Sequence, residues 1–357
     1  MAKTWSQPNC YHRLAISPTP LSLSLSLSLH SYQSGFKMQS LSNSVVQLKY
    51  TYDSTNPLNQ TCGIGTKYNA NQSCEISLLV PRTMHPPILI YYELTNFHQN
   101  HRSYSMSRDD YQLTAKPQTT ISMAACKPLN KLGNISLNPC GLIANTYFND
   151  VVELVGGKDD TGQDLVMVEE GIAWQSDITY RFKQPKGFQM QECPTGGCNS
   201  TCCSDLGFSC KEPAISKHDF KCYAYHYPDE NTTQYLYETY PQISPLDGVT
   251  DEHFIVWMRV ATLPTFRKLY GYIEQPIPAG TTLTFRILCN YVVESFGGSK
   301  SLVVSTNNIL GGKNSYLGRT FYVVGFFCLA CGCFFAAKHW FRPRKIADRK
   351  YLRYKEE

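Results

Sequence analysis

The feature that most restricts what this chain can fold into is an uncharged apolar run near its C-terminus, from Phe321 to Ala337. A helix of this length rises about 25 Å, which is close to the hydrocarbon thickness of a bilayer. The sequence KHWFR follows at once, and basic and aromatic residues directly after an apolar run are typical of a membrane boundary. A buried core helix is the alternative. We interpret residues 321–341 as a transmembrane helix, with a basic tail at residues 342–357.

The formal net charge of +5 comes entirely from the end of the chain. Residues 338–357 hold eight Lys and Arg against three Asp and Glu, so the other residues carry 33 − 8 = 25 basic and 28 − 3 = 25 acidic side chains. A nucleic-acid-binding surface requires a basic face on the folded domain, so we predict no nucleic-acid partner. By the positive-inside rule the tail is predicted to be cytosolic, and the residues before Phe321 to be lumenal or extracellular.

Glycosylation signals and cysteines agree with that orientation. Eleven cysteines fall between Cys62 and Cys289, a density typical of oxidising compartments. Three more, Cys328, Cys331 and Cys333, lie in the apolar run, where we predict packing rather than metal binding because no His, Asp or Glu accompanies them. Five N-glycosylation acceptors all precede the apolar run: Asn59, Asn71, Asn134, Asn199 and Asn231.

The spacing of the cysteines predicts disulfides. Cys62 and Cys74 bracket one short loop and Cys126 and Cys140 another, so each neighbouring pair is able to close locally. Cys289 is left over and predicts a buried free thiol. A dense insert at residues 193–222 predicts three disulfides of unassigned connectivity rather than a zinc site. Its cysteines are Cys193, Cys198, Cys202, Cys203, Cys210 and Cys222.

Residues 38–320 are predicted to form a mainly β ectodomain, an antiparallel sandwich-like domain, because short β-branched or aromatic runs alternate with turn signals. The predicted strands are Ile76–Val80, Ile88–Leu94, Val151–Val155, Leu165–Val168, Thr282–Leu288 and Ser301–Thr306. Residues 1–37 contain a strict Leu-Ser alternation behind Pro18 and Pro20, which is too polar for a spanning segment. We predict an unfolded low-complexity segment or a wrong first exon there. A targeting role is the alternative.

Motifs that imitate active sites lack the residues that catalysis requires. Asp160-Thr161-Gly162 matches the aspartic-protease triplet, but no second copy exists to share a proton with it, so we read it as a turn. Gly311-Gly312-Lys313-Asn314 lacks the Ser or Thr of a phosphate-binding loop, and His98 and His101 have no Glu between them. We therefore predict no catalytic residue, no metal site, no cofactor and no enzymatic activity.

Several strings, taken together and in order, resemble the family known as cell division control protein fifty or ligand-effect modulator, called ALA-interacting subunits in plants. These proteins are accessory subunits of type IV P-type ATPases, the lipid flippases. The resemblance covers about residues 43 to 355. It is carried by YYELTNFHQNHRSY from Tyr91, SRD from Ser107, PCGLIA from Pro139, FND from Phe148, IAWQSD from Ile172, FIVWMRVATLPTFRKLYG from Phe254 and GGKNSYLG from Gly311.

The resemblance implies a non-catalytic subunit of the secretory pathway, located in endoplasmic reticulum, Golgi or plasma membrane. It implies a heterodimer with a flippase, needed for that enzyme's folding, export and lipid translocation, with membrane lipids around the span. Family members have two spans flanking a glycosylated ectodomain, and Cys62/Cys74 and Cys126/Cys140 match bridge positions of the family. Three departures stand out: the first span is expected to be absent, the insert at 193–222 exceeds the family plan, and Cys289 replaces an Asn.

Exposed aromatic and arginine residues are enriched at protein interfaces, which gives candidates for partner binding. They are Arg102, Arg108, Trp257, Arg259 and Arg267. Core packing is the alternative for Trp257, and salt bridges within the domain are the alternative for Arg259 and Arg267. A rival function is a single-span receptor or adhesion ectodomain that binds its ligand through the cysteine-rich insert.

Overall fold

The computed structural model of the chain describes residues 20–54, 61–117, 120–193, 198–199, 201–208, 211–217, 220–309 and 311–341. It divides into two compact units. The described residues of Met1–Val46 and Asn307–Glu357 form the helical unit, and those of Gln47–Thr306 form the β unit.

The helices of the described residues are, in chain order, α1 (Pro20–Ser44), α2 (Arg102–Ser105), α3 (Asp110–Leu113), α4 (Thr120–Ala125), α5 (Gln175–Tyr180), α6 (Thr201–Asp205), α7 (Leu236–Thr239), α8 (Glu252–Met258) and α9 (Ser315–Phe341). The strands are β1 (Gln47–Ser54), β2 (Gln72–Leu79), β3 (Ile88–Leu94), β4 (Lys131–Leu132), β5 (Ile135–Asn138), β6 (Val151–Gly156), β7 (Gln189–Glu192), β8 (Ala214–Ile215), β9 (Cys222–His226), β10 (Thr233–Tyr235), β11 (Phe266–Ile273), β12 (Thr282–Cys289) and β13 (Ser299–Thr306).

The strands of the β unit pair into four sheets, almost entirely antiparallel. The largest has the order β1-β13-β3-β11, and three-stranded sheets have the orders β2-β12-β6, β10-β5-β4 and β7-β9-β8. Only β10 and β5 pair in parallel among these described strands. In β12 the side chains of Leu283, Phe285, Ile287 and Cys289 are buried at alternate positions, as the period of two in a half-buried strand requires. The prediction of a mainly antiparallel β fold is confirmed.

Four of the six predicted strands lie within β3, β6, β12 and β13, and the predicted strand Ile76–Val80 overlaps β2 and extends one residue beyond it. The prediction for Leu165–Val168 is wrong, because this segment forms only an isolated bridge between Val168 and Tyr272 of β11. The side chain of Leu165 is nevertheless buried. An apolar pattern predicts that a segment is buried, but it does not show whether that segment pairs with a neighbouring strand.

The prediction of an unfolded N-terminal segment is wrong for residues 20–37, which lie in α1; residues 1–19 lie outside the described part of the chain. Proline at the first position of a helix removes no hydrogen bond, so Pro20 starts α1 instead of preventing it. Ser315–Lys338 of α9 is long and apolar enough to cross a membrane, and among the described residues it is the one such helix.

Helices α1 and α9 pack antiparallel through small residues. A methyl carbon added at Gly318 would lie 2.9 Å from Oε1 of Gln39, and one added at Gly332 would lie 3.0 Å from Oγ of Ser24. Ser24 and Ser28 are buried at this contact, whereas Leu23 and Leu27 are exposed. Glycine and serine therefore allow the two backbones to approach closely.

The structure describes four disulfides in the β unit, all between cysteines that were predicted to form bridges. Cys62–Cys74 and Cys126–Cys140 close the two local loops. In the insert, Cys193 pairs with Cys202 and Cys198 pairs with Cys222. Cys203 is also disulfide-bonded, whereas the predicted disulfide cysteine Cys210 lies outside the described residues. The insert thus has a small core of its own, in which buried cysteines pack against Ala224 of β9.

A buried ionic cluster links β1 and β13 with the loop before β6. Nζ of Lys300, which is 0% exposed, lies 2.9 Å from Oδ2 of Asp150 and 3.2 Å from Oδ2 of Asp53. Asp150 also accepts hydrogen bonds from the hydroxyl of Tyr52 and from the backbone N–H groups of residues 290 and 291. Burial lowers the pKa of Lys300, but Asp150, Cys289 and Asp53 together raise it more, so the pKa is raised overall and the ammonium form is held.

Gly141 lies where two backbone segments meet. Its backbone φ of +100° is one that residues other than glycine rarely adopt. A Cβ added there would lie 2.2 Å from the carbonyl oxygen of Ser107. Ser107 in turn accepts a hydrogen bond from the N–H of Leu142 through its hydroxyl. The loop closed by Cys126–Cys140 is therefore fixed directly against the segment that carries Arg108.

Candidate partner-binding surface

The five candidate residues occupy different environments. Arg102 is exposed on α2, and Arg108 follows that helix. Trp257 lies within α8, Arg259 is the C-cap of α8, and Arg267 lies in β11.

Trp257 is a core residue. Its side chain is 0% exposed, and its indole N–H donates to the carbonyl oxygen of Ile143 at 2.8 Å. Its ring lies 5.8 Å from that of Phe97 and 6.1 Å from that of Tyr291, measured between centroids. The core-packing alternative therefore describes Trp257, which does not reach the surface.

The start of α8 is fixed by two carboxylates. Asp251 caps the helix by accepting a hydrogen bond from the N–H of Phe254. Glu252 accepts hydrogen bonds from the N–H groups of Gly171 and Ala173 at 2.9 and 2.8 Å. The segment that leads into α5 is thereby tied to the first turn of α8.

The end of α8 is fixed by a buried lysine. Nζ of Lys268 donates to the carbonyl oxygens of Val256 at 3.0 Å and Trp257 at 3.2 Å, and also to that of Arg259. Burial, together with the charge of Arg259, lowers the pKa of Lys268 to about 7. These bonds satisfy carbonyl groups that a helix end leaves without partners, and they set the direction in which the backbone at Arg259 leaves α8.

Arg259 joins α8 to α5 through a buried carboxylate and an exposed indole. Its Nε lies 2.6 Å from Oδ2 of Asp177, whose side chain is 2% exposed. Its Cζ lies 5.6 Å from the ring centroid of Trp174, which is 65% exposed. Arg181 approaches the other oxygen of Asp177 at 3.6 Å. The indole face of Trp174 is thus held against a guanidinium group that is half exposed.

Two neighbouring cavities share Arg259. One, of about 280 Å³, is lined by Arg108, Asp110, Asp177 and Arg181 among others. The other, of about 350 Å³, is lined by Trp174, Arg267 and Lys268 among others. We call Arg108, Arg181, Arg259, Arg267 and Trp174 the arginine surface. Arg102 does not line either cavity.

Arg267 is paired within the domain and yet remains accessible. Its Nε lies 2.7 Å from Oε2 of Glu93, and Lys49 of β1 binds the other oxygen of Glu93. Burial raises the pKa of Glu93, but the hydrogen bonds and the positive charges of Lys49 and Arg267 together lower it more, so the carboxylate stays ionised. Because the side chain of Arg267 is 37% exposed, part of the guanidinium group still faces solvent.

Sequence reasoning missed three members of this region, Trp174, Asp177 and Arg181. Trp174 and Asp177 stand inside the family-like string IAWQSD, and Asp177 and Arg181 have the i,i+4 spacing of a helical ion pair. Both signals were available in the sequence. The pairing of Asp177 with Arg259 was not, because 82 residues separate them.

The sequence model of the LEM3 (ligand-effect modulator 3) family / CDC50 family matches residues 38–345. The chain belongs to the LEM3/CDC50 family. ALA-interacting subunit 3 of Arabidopsis thaliana is 35% identical over 323 residues, which cover 87% of this chain and 77% of that relative. Cell cycle control protein 50A of Mus musculus is 32% identical over 295 residues, with 80% and 73% covered. The family resemblance predicted from the sequence strings is confirmed.

A third CDC50-family relative carries a functional description in its name. Phospholipid-transporting ATPase accessory subunit CRF1 of Saccharomyces cerevisiae is 31% identical over 286 residues, which cover 80% of this chain and 64% of that relative. All residues of the arginine surface lie within the part of the chain that the family model matches.

Proposed function

We propose that this protein is a non-catalytic accessory (β) subunit of a type IV P-type ATPase phospholipid flippase. The observation that carries the proposal is the likeness to a phospholipid-transporting ATPase accessory subunit over 80% of the chain. The subunit forms a heterodimer with the ATPase and is needed for its folding, its export from the endoplasmic reticulum and its lipid translocation. It resides in the membranes of the secretory pathway, with the β unit lumenal or extracellular and the tail cytosolic.

The arginine surface supports this role as a contact site for the ATPase. Trp and Arg are the residue types that contribute most to binding energy at interfaces. Asp177 and Glu93 hold Arg259 and Arg267 in place before any partner arrives, so little side-chain entropy is lost on binding. A subunit without catalytic groups influences a transport cycle by binding the conformations of its partner with unequal affinity.

Purification from native membranes tests the partner. The full-length chain should co-purify with a type IV P-type ATPase, and Trp174→Ala or Arg259→Ala should reduce the recovered ATPase by about tenfold or more, equivalent to about 1.4 kcal/mol. Phe220→Ala, an exposed aromatic residue in the insert, and Arg286→Ala, a surface arginine of β12 paired with Glu75 and Glu153, are matched controls that should change recovery little.

Protease resistance of the β unit separates loss of the interface from misfolding in these variants. Recovery of a single-pass signalling partner or an extracellular ligand instead of an ATPase would contradict the proposal and favour the receptor function. If Phe220→Ala reduces the recovered ATPase and Trp174→Ala does not, the contact lies in the insert.

Orientation gives a separate prediction. The four described acceptor asparagines, Asn71, Asn134, Asn199 and Asn231, are exposed, and Asn59 lies outside the described residues. Glycosidase treatment should therefore lower the apparent mass of the mature protein. Protease added outside sealed secretory vesicles should remove the tail after about Lys338 and leave the β unit intact. Cleavage within the β unit from the cytosolic side would show that the orientation is reversed.

A further inference from the structure

Three sulfur atoms meet in the β unit, although only two of them are bonded. Cys62 and Cys74 form a disulfide, and Cys289 at the end of β12 is a buried free thiol. The three Sγ atoms all lie within 4.8 Å of one another. We call these residues the sulfur cluster. A free thiol this close to a disulfide has the components that thiol–disulfide exchange requires.

The surroundings of the sulfur cluster keep Cys289 protonated. Burial, and then the negative charge of Asp150, raise the pKa of the Cys289 thiol to about 12, while Lys300 of β13 acts in the opposite direction and Asp53 of β1 adds to the increase. Tyr52 of β1 faces the same site and is itself neutral, because burial and Asp150 raise its pKa. Since the thiolate and not the thiol attacks a disulfide, exchange is suppressed at neutral pH in the folded protein.

We propose that the sulfur cluster is a disulfide-exchange site, in which Cys289 displaces Cys74 and forms a Cys62–Cys289 bridge. Cys289 loses its proton, and its sulfur attacks Sγ of Cys62. The Cys62–Cys74 bond breaks, and the sulfur of Cys74 leaves with the bonding electron pair and takes up a proton. One disulfide and one thiol are present before and after, so the step requires no oxidant or reductant.

The geometry favours Cys62 over Cys74 as the sulfur that is attacked. Cys74 lies opposite Ile287 in the β2–β12 pair, which makes Cys74 and Cys289 diagonal neighbours. The Cβ atoms of such neighbours lie about 7 Å apart, beyond the reach of a disulfide without movement of the strands. Cys62 lies outside these strands. Cys74 is also the better leaving group because its side chain is partly exposed, whereas that of Cys62 is buried.

Exchange would change the β unit without changing its oxidation state. The loop of residues 63–73, which carries the acceptor Asn71, would no longer be closed, and the segment after β1 would be bonded to β12 instead. The released Cys74 would be open to alkylation or to a mixed disulfide. This inference is independent of the partner proposed above.

Wild-type full-length protein in detergent provides the first test. Accessible thiols are blocked with N-ethylmaleimide at neutral pH, aliquots are held at pH 7 to pH 10, and iodoacetamide then traps newly released thiols. Peptide mapping without reduction should show a Cys62–Cys289 peptide and alkylated Cys74, formed about tenfold faster for each pH unit below the thiol pKa. Cys289→Ser should show neither product. An intact Cys62–Cys74 bridge at pH 10 beside a free Cys289, or equal release of Cys74 in Cys289→Ser, would overturn the proposal.

A variant provides the second test. In Cys74→Ser, the remaining Cys62 and Cys289 should be found bridged in mature protein. Cys140→Ser is the matched control, because no third cysteine lies close to Cys126 among the described residues, and its Cys126 should stay a free thiol. Free Cys62 and free Cys289 in folded Cys74→Ser would contradict the proposal. If Cys74→Ser does not fold, the result with the wild-type protein decides.

Discussion

Replacing Lys300 by methionine should lower the free energy of unfolding of the β unit by about 3 to 5 kcal/mol. Lys300 is fully buried and is the cation between Asp53 and Asp150. Methionine fills a similar volume, but it leaves two carboxylates close together in a site that excludes water. The cost of a buried charge without its partner is much larger than the net stabilisation that an intact buried pair gives, so the effect should exceed that of any surface ion pair.

Denaturant unfolding of the full-length protein, followed by the fluorescence of buried Trp257, measures this loss. Lys221→Met is the matched control, because Lys221 pairs with Glu192 at 3.1 Å with both side chains about half exposed, and its removal should cost about 1 kcal/mol or less. Equal effects of the two substitutions would show that the Lys300 cluster is hydrated and contributes no more than a surface pair.

Gly141→Ala should destabilise the β unit by about 2 to 5 kcal/mol, through strain at positive φ and through overpacking. The added Cβ would meet the backbone of Ser107 at 2.2 Å, and a backbone atom cannot rotate away as the end of a side chain can. To remove this overlap, the Pro139–Ala144 segment must move away from the segment before Arg108. The arginine surface should then lose its arrangement around Arg108 and Arg181.

Gly162→Ala separates the two contributions. Gly162 has a φ of +84°, but nothing lies within 4 Å of an added Cβ. It should cost only the strain of about 1 to 2 kcal/mol. Thermal unfolding of both variants measures the difference. Equal shifts in Tm would mean that the close approach at Gly141 does not resist an added methyl group.

Short-range features of this fold could be predicted from the sequence. The Cys126–Cys140 and Cys62–Cys74 bridges close loops of a length that favours pairing with the nearest cysteine, and the structure contains both. Strands such as β3 and β12 contain β-branched and aromatic side chains, which are typical of half-buried strands, so these strands could be predicted. The free thiol of Cys289 followed from counting the cysteines outside the insert.

Features that depend on distant segments could not be predicted. The Leu-Ser alternation of α1 has the period of two that is typical of a strand, and the contact between α1 and α9 joins segments at opposite ends of the chain. The arginine surface requires α5 and α8 to meet, and only then does Asp177 reach Arg259. A buried and an exposed Trp look alike in a sequence, so Trp257 was a surface candidate while the exposed Trp174 was overlooked.

The pairing of α1 with α9 reverses the usual distribution of polar and apolar side chains in water. Ser24 and Ser28 on α1 are buried, while Leu23 on α1 and Phe327 on α9 are exposed. The hydroxyl of Ser28 donates to the carbonyl oxygen of Leu25 within its own helix, so it requires no water. Because α1 lies alongside the apolar segment of α9, its outer surface meets the same solvent. The polar serines are thus shielded by their partner helix, and hydrocarbon around α9, which is apolar enough to cross a membrane, would suit the outward leucines of α1 as well.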